Sequence, residues 1–105
     1  MENKKELVKV WLEKWKVFKT SHPRVAKRFE EKAREKGGLE VVFEEMADFI
    51  FKDSRRTRVQ VPLTWRLYRY YPYGMSIKFY YDGSIIYARG IISSSVYDLL
   101  DLIWK

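Results

Sequence analysis

The sequence predicts a small α+β domain with three N-terminal helices, a three- or four-stranded antiparallel sheet with a central hairpin, and a C-terminal helix. Residues 1–51 repeat apolar side chains at helical spacing, whereas residues 52–92 alternate apolar with polar side chains and contain hairpin turn sequences. At 105 residues, 47% of them apolar, the chain can bury one hydrophobic core but not two. We therefore predict a single domain over residues 1–105, in which residues 93–105 form the closing helix.

The first two helices are predicted from their apolar stripes and their ends. Residues 4–19 carry one apolar stripe that includes two tryptophans four residues apart, a spacing typical of core side chains. Thr20 and Ser21 are candidate N-caps for a second helix that begins near Pro23 and ends at the glycine pair 37–38. The outer side of this helix mixes basic residues with glutamates, which favours a solvated face over a phosphate-contacting one.

The third helix, residues 39–51, is apolar on nearly every side and should lie at the centre of the core. All its polar residues are acidic, and Glu40, Glu44 and Asp48 recur four apart. Such a row suggests a divalent-metal site, but no histidine or second carboxylate motif accompanies it, so a solvated or arginine-paired edge is favoured and no metal or cofactor is predicted. The same carboxylates would be repelled by phosphates, which argues against a winged helix-turn-helix protein that docks this helix on DNA.

Two strands are predicted before the central hairpin. After a polar linker, residues 57–61 alternate as a strand that Pro62 interrupts, and residues 63–70 alternate as a second strand. Residues 71–74 place a proline and a glycine as a β-turn requires. Beyond the hairpin, the serines at 93–95 are candidate caps for the last helix, whose apolar stripe includes Leu99.

The central hairpin spans residues 75–92. Asp82 and Gly83 both tolerate a positive φ, which predicts a two-residue type I′ turn. That turn would pair Phe79 with Ile86 and Lys78 with Tyr87. The core face of the hairpin would then carry Ile77, Phe79, Ile86 and Ala88. The opposite face, aromatic and basic, would carry Ser76, Lys78, Tyr80, Ile85, Tyr87 and Arg89.

The net charge of +7 is concentrated in the strand-rich part of the chain. Residues 1–51 carry a net +2, residues 52–92 carry +6 and residues 93–105 carry −1, and the middle segment also holds seven of the eight tyrosines. On an open sheet, arginines would contact phosphates and tyrosine rings would stack on bases, which predicts binding to nucleic acid, with a single strand or a distorted duplex favoured. The candidate nucleic-acid-binding residues are Arg55, Arg56, Arg58, Arg66, Tyr68, Arg69, Tyr70, Lys78, Tyr80, Tyr87 and Arg89.

The composition also indicates the environment of the protein. There is no cysteine, which excludes disulfides, thiolate metal sites and cysteine nucleophiles. One asparagine and one glutamine among many charged residues are typical of a thermophile, so we expect an archaeal or other thermophilic source, or its virus or plasmid. Four of the first six residues are charged and no apolar run could span a bilayer, so we expect a cytoplasmic protein with no membrane partner.

Two other function classes remain open. The same arginine and tyrosine face has the composition of a protein interface, so an interaction or homodimerisation module, such as a small adaptor or inhibitor, is the main alternative. An enzyme is disfavoured, because the single histidine, His22, precedes a proline in a cap region. No catalytic triad, phosphate-binding glycine loop or metal-ligand spacing is present either.

Residues 67–70 (LYRY) followed by residues 77–83 (IKFYYDG) resemble the sheet of the RelE/ParE toxin family. That resemblance implies a small ribonuclease that works with arginine, lysine and tyrosine side chains. It covers about a third of the chain. The N-terminal helices do not match the family's pattern, and serines at 93–95 stand where its basic, histidine-containing segment would be, so no catalytic residue is carried over.

Overall fold

The computed structural model describes residues 3–52, 62–66 and 73–91, together with Leu99; of residues 73–75 and 89–91 it describes the backbone alone. It confirms an α+β fold with three helices and a three-stranded antiparallel sheet. The elements are Lys4–Ser21 (α1), Pro23–Glu35 (α2), Leu39–Lys52 (α3), Leu63–Arg66 (β1), Tyr73–Phe79 (β2) and Ile85–Ile91 (β3). The strands lie in the order β1–β2–β3. The strand predicted over residues 57–61 and the C-terminal helix lie outside the described residues, except that Leu99 is buried in the core.

The junction between α1 and α2 differs from the sequence prediction by two residues. Thr20 and Ser21 are not N-caps of α2 but the last residues of α1, where the Thr20 hydroxyl donates to the carbonyl of Lys16 at 3.0 Å. His22 occupies the N-cap position of α2 without a side-chain capping hydrogen bond, and Pro23 is the first helical residue. The reason is that α1 meets no obstacle before the proline, which disfavours helical backbone only at the residue directly before it.

The end of α2 matches the predicted glycine stop. Gly37 and Gly38 have φ angles of 107° and 117°, which residues with a Cβ rarely adopt. Their amides donate to the carbonyls of Arg34 at 3.2 Å and Ala33 at 2.9 Å, and so satisfy two carbonyls at the helix terminus. The chain then reverses into α3.

Aromatic rings fill the core between the helices and the sheet. Trp11 and Trp15 are buried, as predicted, and Phe43 of α3 contacts both rings at centroid distances of 5.8 and 6.0 Å. Phe79 of β2 lies 6.0 Å from Trp11 and 6.1 Å from Trp15, which joins the sheet to α1. Lys4, near the start of α1, pairs with Asp48, near the end of α3. Since Trp15 contacts Phe43, earlier in α3, the two helices run in opposite directions.

The predicted register of the hairpin is wrong by one residue. The strands pair Phe79 with Ile85 and Ile77 with Tyr87 rather than Phe79 with Ile86. The reason is the turn, which has three residues. Gly83 donates to the carbonyl of Tyr80 at 3.0 Å, and the amide of Tyr80 donates to the carbonyl of Ser84 at 2.9 Å.

This turn is a type I turn followed by a bulge at Gly83. Gly83 has a φ of 95°, and no described residue other than glycine has a positive φ, so Asp82 does not adopt the conformation that a type I′ turn needs. Instead, the carboxylate of Asp82 accepts a hydrogen bond from the amide of Ser84 at 2.9 Å. That contact fixes Asp82 in an Asx-type turn.

The one-residue shift moves each residue of β3 to the other face of the sheet. The rungs that face the helices are Leu63–Phe79–Ile85 and Trp65–Ile77–Tyr87. The rungs on the opposite side, here called the outer face, are Thr64–Lys78–Ile86 and Arg66–Ser76–Ala88. Ile86, predicted to be core, is 48% exposed on the outer face, whereas Ile85 and Tyr87 pack against the core.

Candidate nucleic-acid interface

The outer face brings two of the predicted cationic residues together. Lys78 lies in the middle strand between Thr64 and Ile86, and Arg66 lies in the neighbouring strand, one rung further along. Side chains in this diagonal relationship have Cα atoms about 7–8 Å apart. Cationic side chains that start from positions this close contribute to one region of positive potential.

The outer face is not the open platform that the sequence suggested. Thr64 and Ser76 are only 1% and 2% exposed, and Lys78 and Arg66 are half-buried. The most exposed of its described residues is Ile86, on β3. The accessible part of this face therefore lies toward β3. Because Lys78 is half-buried, its surroundings have a lower dielectric constant than water, and its attraction for an anion is correspondingly stronger.

The described tyrosines do not form one stacking surface. Tyr87 points toward the helices, where its ring stacks on His22 with centroids 4.6 Å apart and planes 17° apart. Tyr81 also packs on the helical side, with its ring 5.5 Å from Phe51. Tyr80, two residues beyond Lys78, is half-buried, and its carbonyl accepts a hydrogen bond from the indole of Trp11 at 3.1 Å.

The remaining predicted residues contribute no side-chain geometry. Arg89 is described in its backbone only, which pairs with Met75. The other predicted contact residues lie outside the described residues. They are Arg55, Arg56, Arg58, Tyr68, Arg69 and Tyr70.

Sequence reasoning missed two features near this site. The first is His22, which stacks on Tyr87 and lies 4.9 Å from the ring of Phe18. The only sequence signal for this contact is the position of His22 between α1 and α2. Ile86 was assigned to the core because the predicted two-residue turn paired it with Phe79, whereas the strands pair Phe79 with the equally apolar Ile85. No hydrophobic pattern can decide which of the two is buried.

The acidic row of α3 lies next to lysines of α1. Asp48 pairs with Lys4, a lysine rather than the arginine that the sequence suggested. The hydrogen bond from Lys4, aided by its charge, holds the pKa of Asp48 below its usual value. Within residues 3–52, 62–66 and 73–91, no group of three or more histidine or acidic side chains could hold a metal ion.

In the part of the chain that the structure covers, no helix is both long and apolar enough to cross a bilayer.

Comparison with known proteins adds no family to this description. No protein-family model, no curated protein and no solved structure matches this chain.

Proposed function

We propose that this protein binds nucleic acid through the outer face of its sheet. The observation that carries the proposal is the placement of Arg66 and Lys78 on adjacent rungs of that face, within the segment that holds +6 of the net charge of +7. Phosphates are the anionic groups of nucleic acid, and their contacts with lysine and arginine supply most of the affinity of basic proteins for it. Arginine and lysine are the side chains that contact phosphates most often, because arginine offers several N–H donors and lysine supplies a compact charge.

The proposed binding mode uses phosphate contacts more than base stacking. Tyr87 is occupied by its stack with His22, so we assign it the role of fixing β3 rather than holding a base. Ile86 and Tyr80 are the described apolar groups beside Lys78, and they can contact the sugars and base faces of a single strand. Such contacts carry little sequence preference, so single strands of different sequence should bind with similar affinity.

Fluorescence anisotropy with labelled single- and double-stranded oligonucleotides at about 50 and 200 mM salt tests the proposal. We expect binding that weakens steeply with salt. The variant Lys78→Gln should bind more weakly and reduce the slope of log K against log salt by about 0.7, the value for one phosphate contact on a single strand.

The matched control is Lys27→Gln, which removes the same charge from the exposed outer side of α2. It should leave both the affinity and the salt slope close to those of the unmodified chain. Equal losses of affinity in the two variants would mean that binding depends on the net charge of the chain and not on the position of Lys78. No binding at the lower salt concentration would contradict the proposed function.

A second candidate function is favoured by Ile86. A large apolar side chain that is 48% exposed beside a half-buried lysine is also what a protein partner would cover. If the outer face binds protein, Ile86→Thr should abolish capture of the partner, and Lys78→Gln should mainly slow association. Salt-dependent binding to oligonucleotides distinguishes the first function from the second.

A further inference from the structure

A groove lies between α1 and α3, and its described lining comes from these two helices. It has a volume of about 650 Å³. Its apolar floor includes Val8, which is buried, and Leu12, which is half-buried. The rims are made of charged side chains, all of them exposed except Asp48, which is partly exposed. Lysines 5, 9 and 16 line the α1 rim, and Glu40, Glu44 and Asp48 line the α3 rim.

The two rims carry opposite charges that the chain itself leaves largely unpaired. Lys4 and Asp48 form an ion pair at one end of the groove. Among the described residues, Lys5, Lys9 and Lys16 make no ion pair with Glu40 or Glu44, although all five line the same groove. One glutamate, Glu13, interrupts the basic rim. The groove therefore presents a row of lysines and a row of carboxylates, separated by an apolar strip.

This pattern is complementary to itself. A two-fold axis along the groove places α1 of each copy over α3 of the other and keeps the position of each residue along the groove. Because α1 and α3 run in opposite directions, lysines near the end of α1 then face Glu40 of the other copy, and those near its start face Glu44 and Asp48. An axis across the groove would instead place lysines over lysines. We propose that a second copy of this chain docks on the groove and forms a four-helix arrangement from two α1 and two α3 helices.

The proposed dimer should be weak and sensitive to salt. The segment of α1 from Lys5 to Lys16 is about 17 Å long, and two adjacent helices are about 20 Å wide, so the face offers on the order of 350 Å² per copy. Stable interfaces bury about 800 Å² per partner. We therefore expect dimers at protein concentrations of about 0.1 mM and above at low salt, and loss of the dimer as salt screens the charge rows.

A charge exchange between two variants tests the proposal by sedimentation equilibrium. Lys9→Glu with Lys16→Glu makes both rims acidic, and Glu40→Lys with Glu44→Lys makes both rims basic. Each variant alone should raise the dissociation constant of its homodimer by about tenfold or more, because like charges then face each other. An equimolar mixture should form a heterodimer, since each acidic rim now meets a basic one.

The control is Lys27→Glu with Arg28→Glu, which changes the net charge by the same amount as the first variant but lies on α2. It should dimerise like the unmodified chain. Circular dichroism establishes that each variant is folded, and the salt dependence of the unmodified chain tests the proposal without any variant. A monomer at about 1 mM and low salt would overturn it, and so would a dimer that both charge-exchanged variants retain.

Discussion

The imidazole ring of His22 lies parallel to the phenol ring of Tyr87, at 4.6 Å between centroids, and so ties the junction of α1 and α2 to the edge of the described sheet. Phe18 flanks the pair, at 4.9 Å from His22 and 6.5 Å from Tyr87. These three rings are the described contact between the end of α1 and β3. The stack therefore has a structural role, and it should be measurable as a coupling energy.

We predict that His22 and Tyr87 stabilise the fold jointly. The variants His22→Ala and Tyr87→Leu should each lower the free energy of unfolding, and a double-mutant cycle should give a coupling of about 0.5–1.5 kcal/mol, as for other aromatic pairs. Urea denaturation of the four proteins provides the measurement. A coupling near zero would mean that the rings are adjacent without stabilising each other.

The register of the hairpin predicts different costs for two adjacent isoleucines. Ile85 packs against the core, whereas Ile86 is 48% exposed. Ile85→Ala should lower the free energy of unfolding by about 1–2 kcal/mol, because it removes partly buried apolar surface and leaves a gap. Ile86→Ala, the matched control, should cost about 0.5 kcal/mol or less. The register of a two-residue turn would instead make Ile86→Ala the more costly substitution. Denaturation of the two variants therefore decides between the two registers.

Gly83 should be the least replaceable residue of the hairpin loop. Its φ of 95° lies in the region that disfavours any side chain with a Cβ. Gly83→Ala should therefore cost about 1–2 kcal/mol of stability. Ser84→Ala is the control, since it keeps the backbone carbonyl that accepts from Tyr80. Equal thermal unfolding of the two variants would contradict the bulged turn.

The pair between Lys4 and Asp48 predicts a change of stability with pH. The pKa of Asp48 is lowered, first by the hydrogen bond from Lys4 and more weakly by the charge of Lys52. The stability that this carboxylate contributes is present above its unfolded pKa of about 3.9 and is lost as the pH falls through the lower folded pKa. Because both side chains are well exposed, it should amount to less than about 1 kcal/mol.

Carboxyl NMR titration measures this directly. In Lys4→Met the pKa of Asp48 should rise toward its ordinary value, and in Lys52→Met it should rise much less. If the two variants shift the pKa of Asp48 equally, the hydrogen bond from Lys4 is not the main cause.

The helices could be predicted from sequence because their signals are local. Apolar periodicity placed α1, α2 and α3 within two residues of their ends, and the glycine stop after α2 was correct. Thr20 was misassigned because a threonine can cap the next helix or bond back to its own, as it does here. Local chemistry alone does not choose between these.

The sheet was harder to predict, because its register depends on a single loop residue. Asp82 followed by Gly83 suits both a two-residue turn and a three-residue turn with a bulge, and these differ by one position. The candidate site was predicted in part. Arg66 and Lys78 share a face through the pairing of β1 with β2. Both precede the hairpin turn, so its one-residue shift does not move them, whereas Tyr87 follows the turn and was placed on the wrong side.

The bulge at Gly83 gives one backbone conformation control over the chemistry of a whole surface. Deleting one loop residue would exchange the two sides of β3, so that Ile86 turned inward and Tyr87 turned outward beside Lys78. Either arrangement buries an isoleucine, so hydrophobicity would oppose the exchange only weakly. Loop length in this hairpin is therefore a lever by which a single deletion, with no change to any side chain of the strands, could convert an aliphatic, basic surface into an aromatic one.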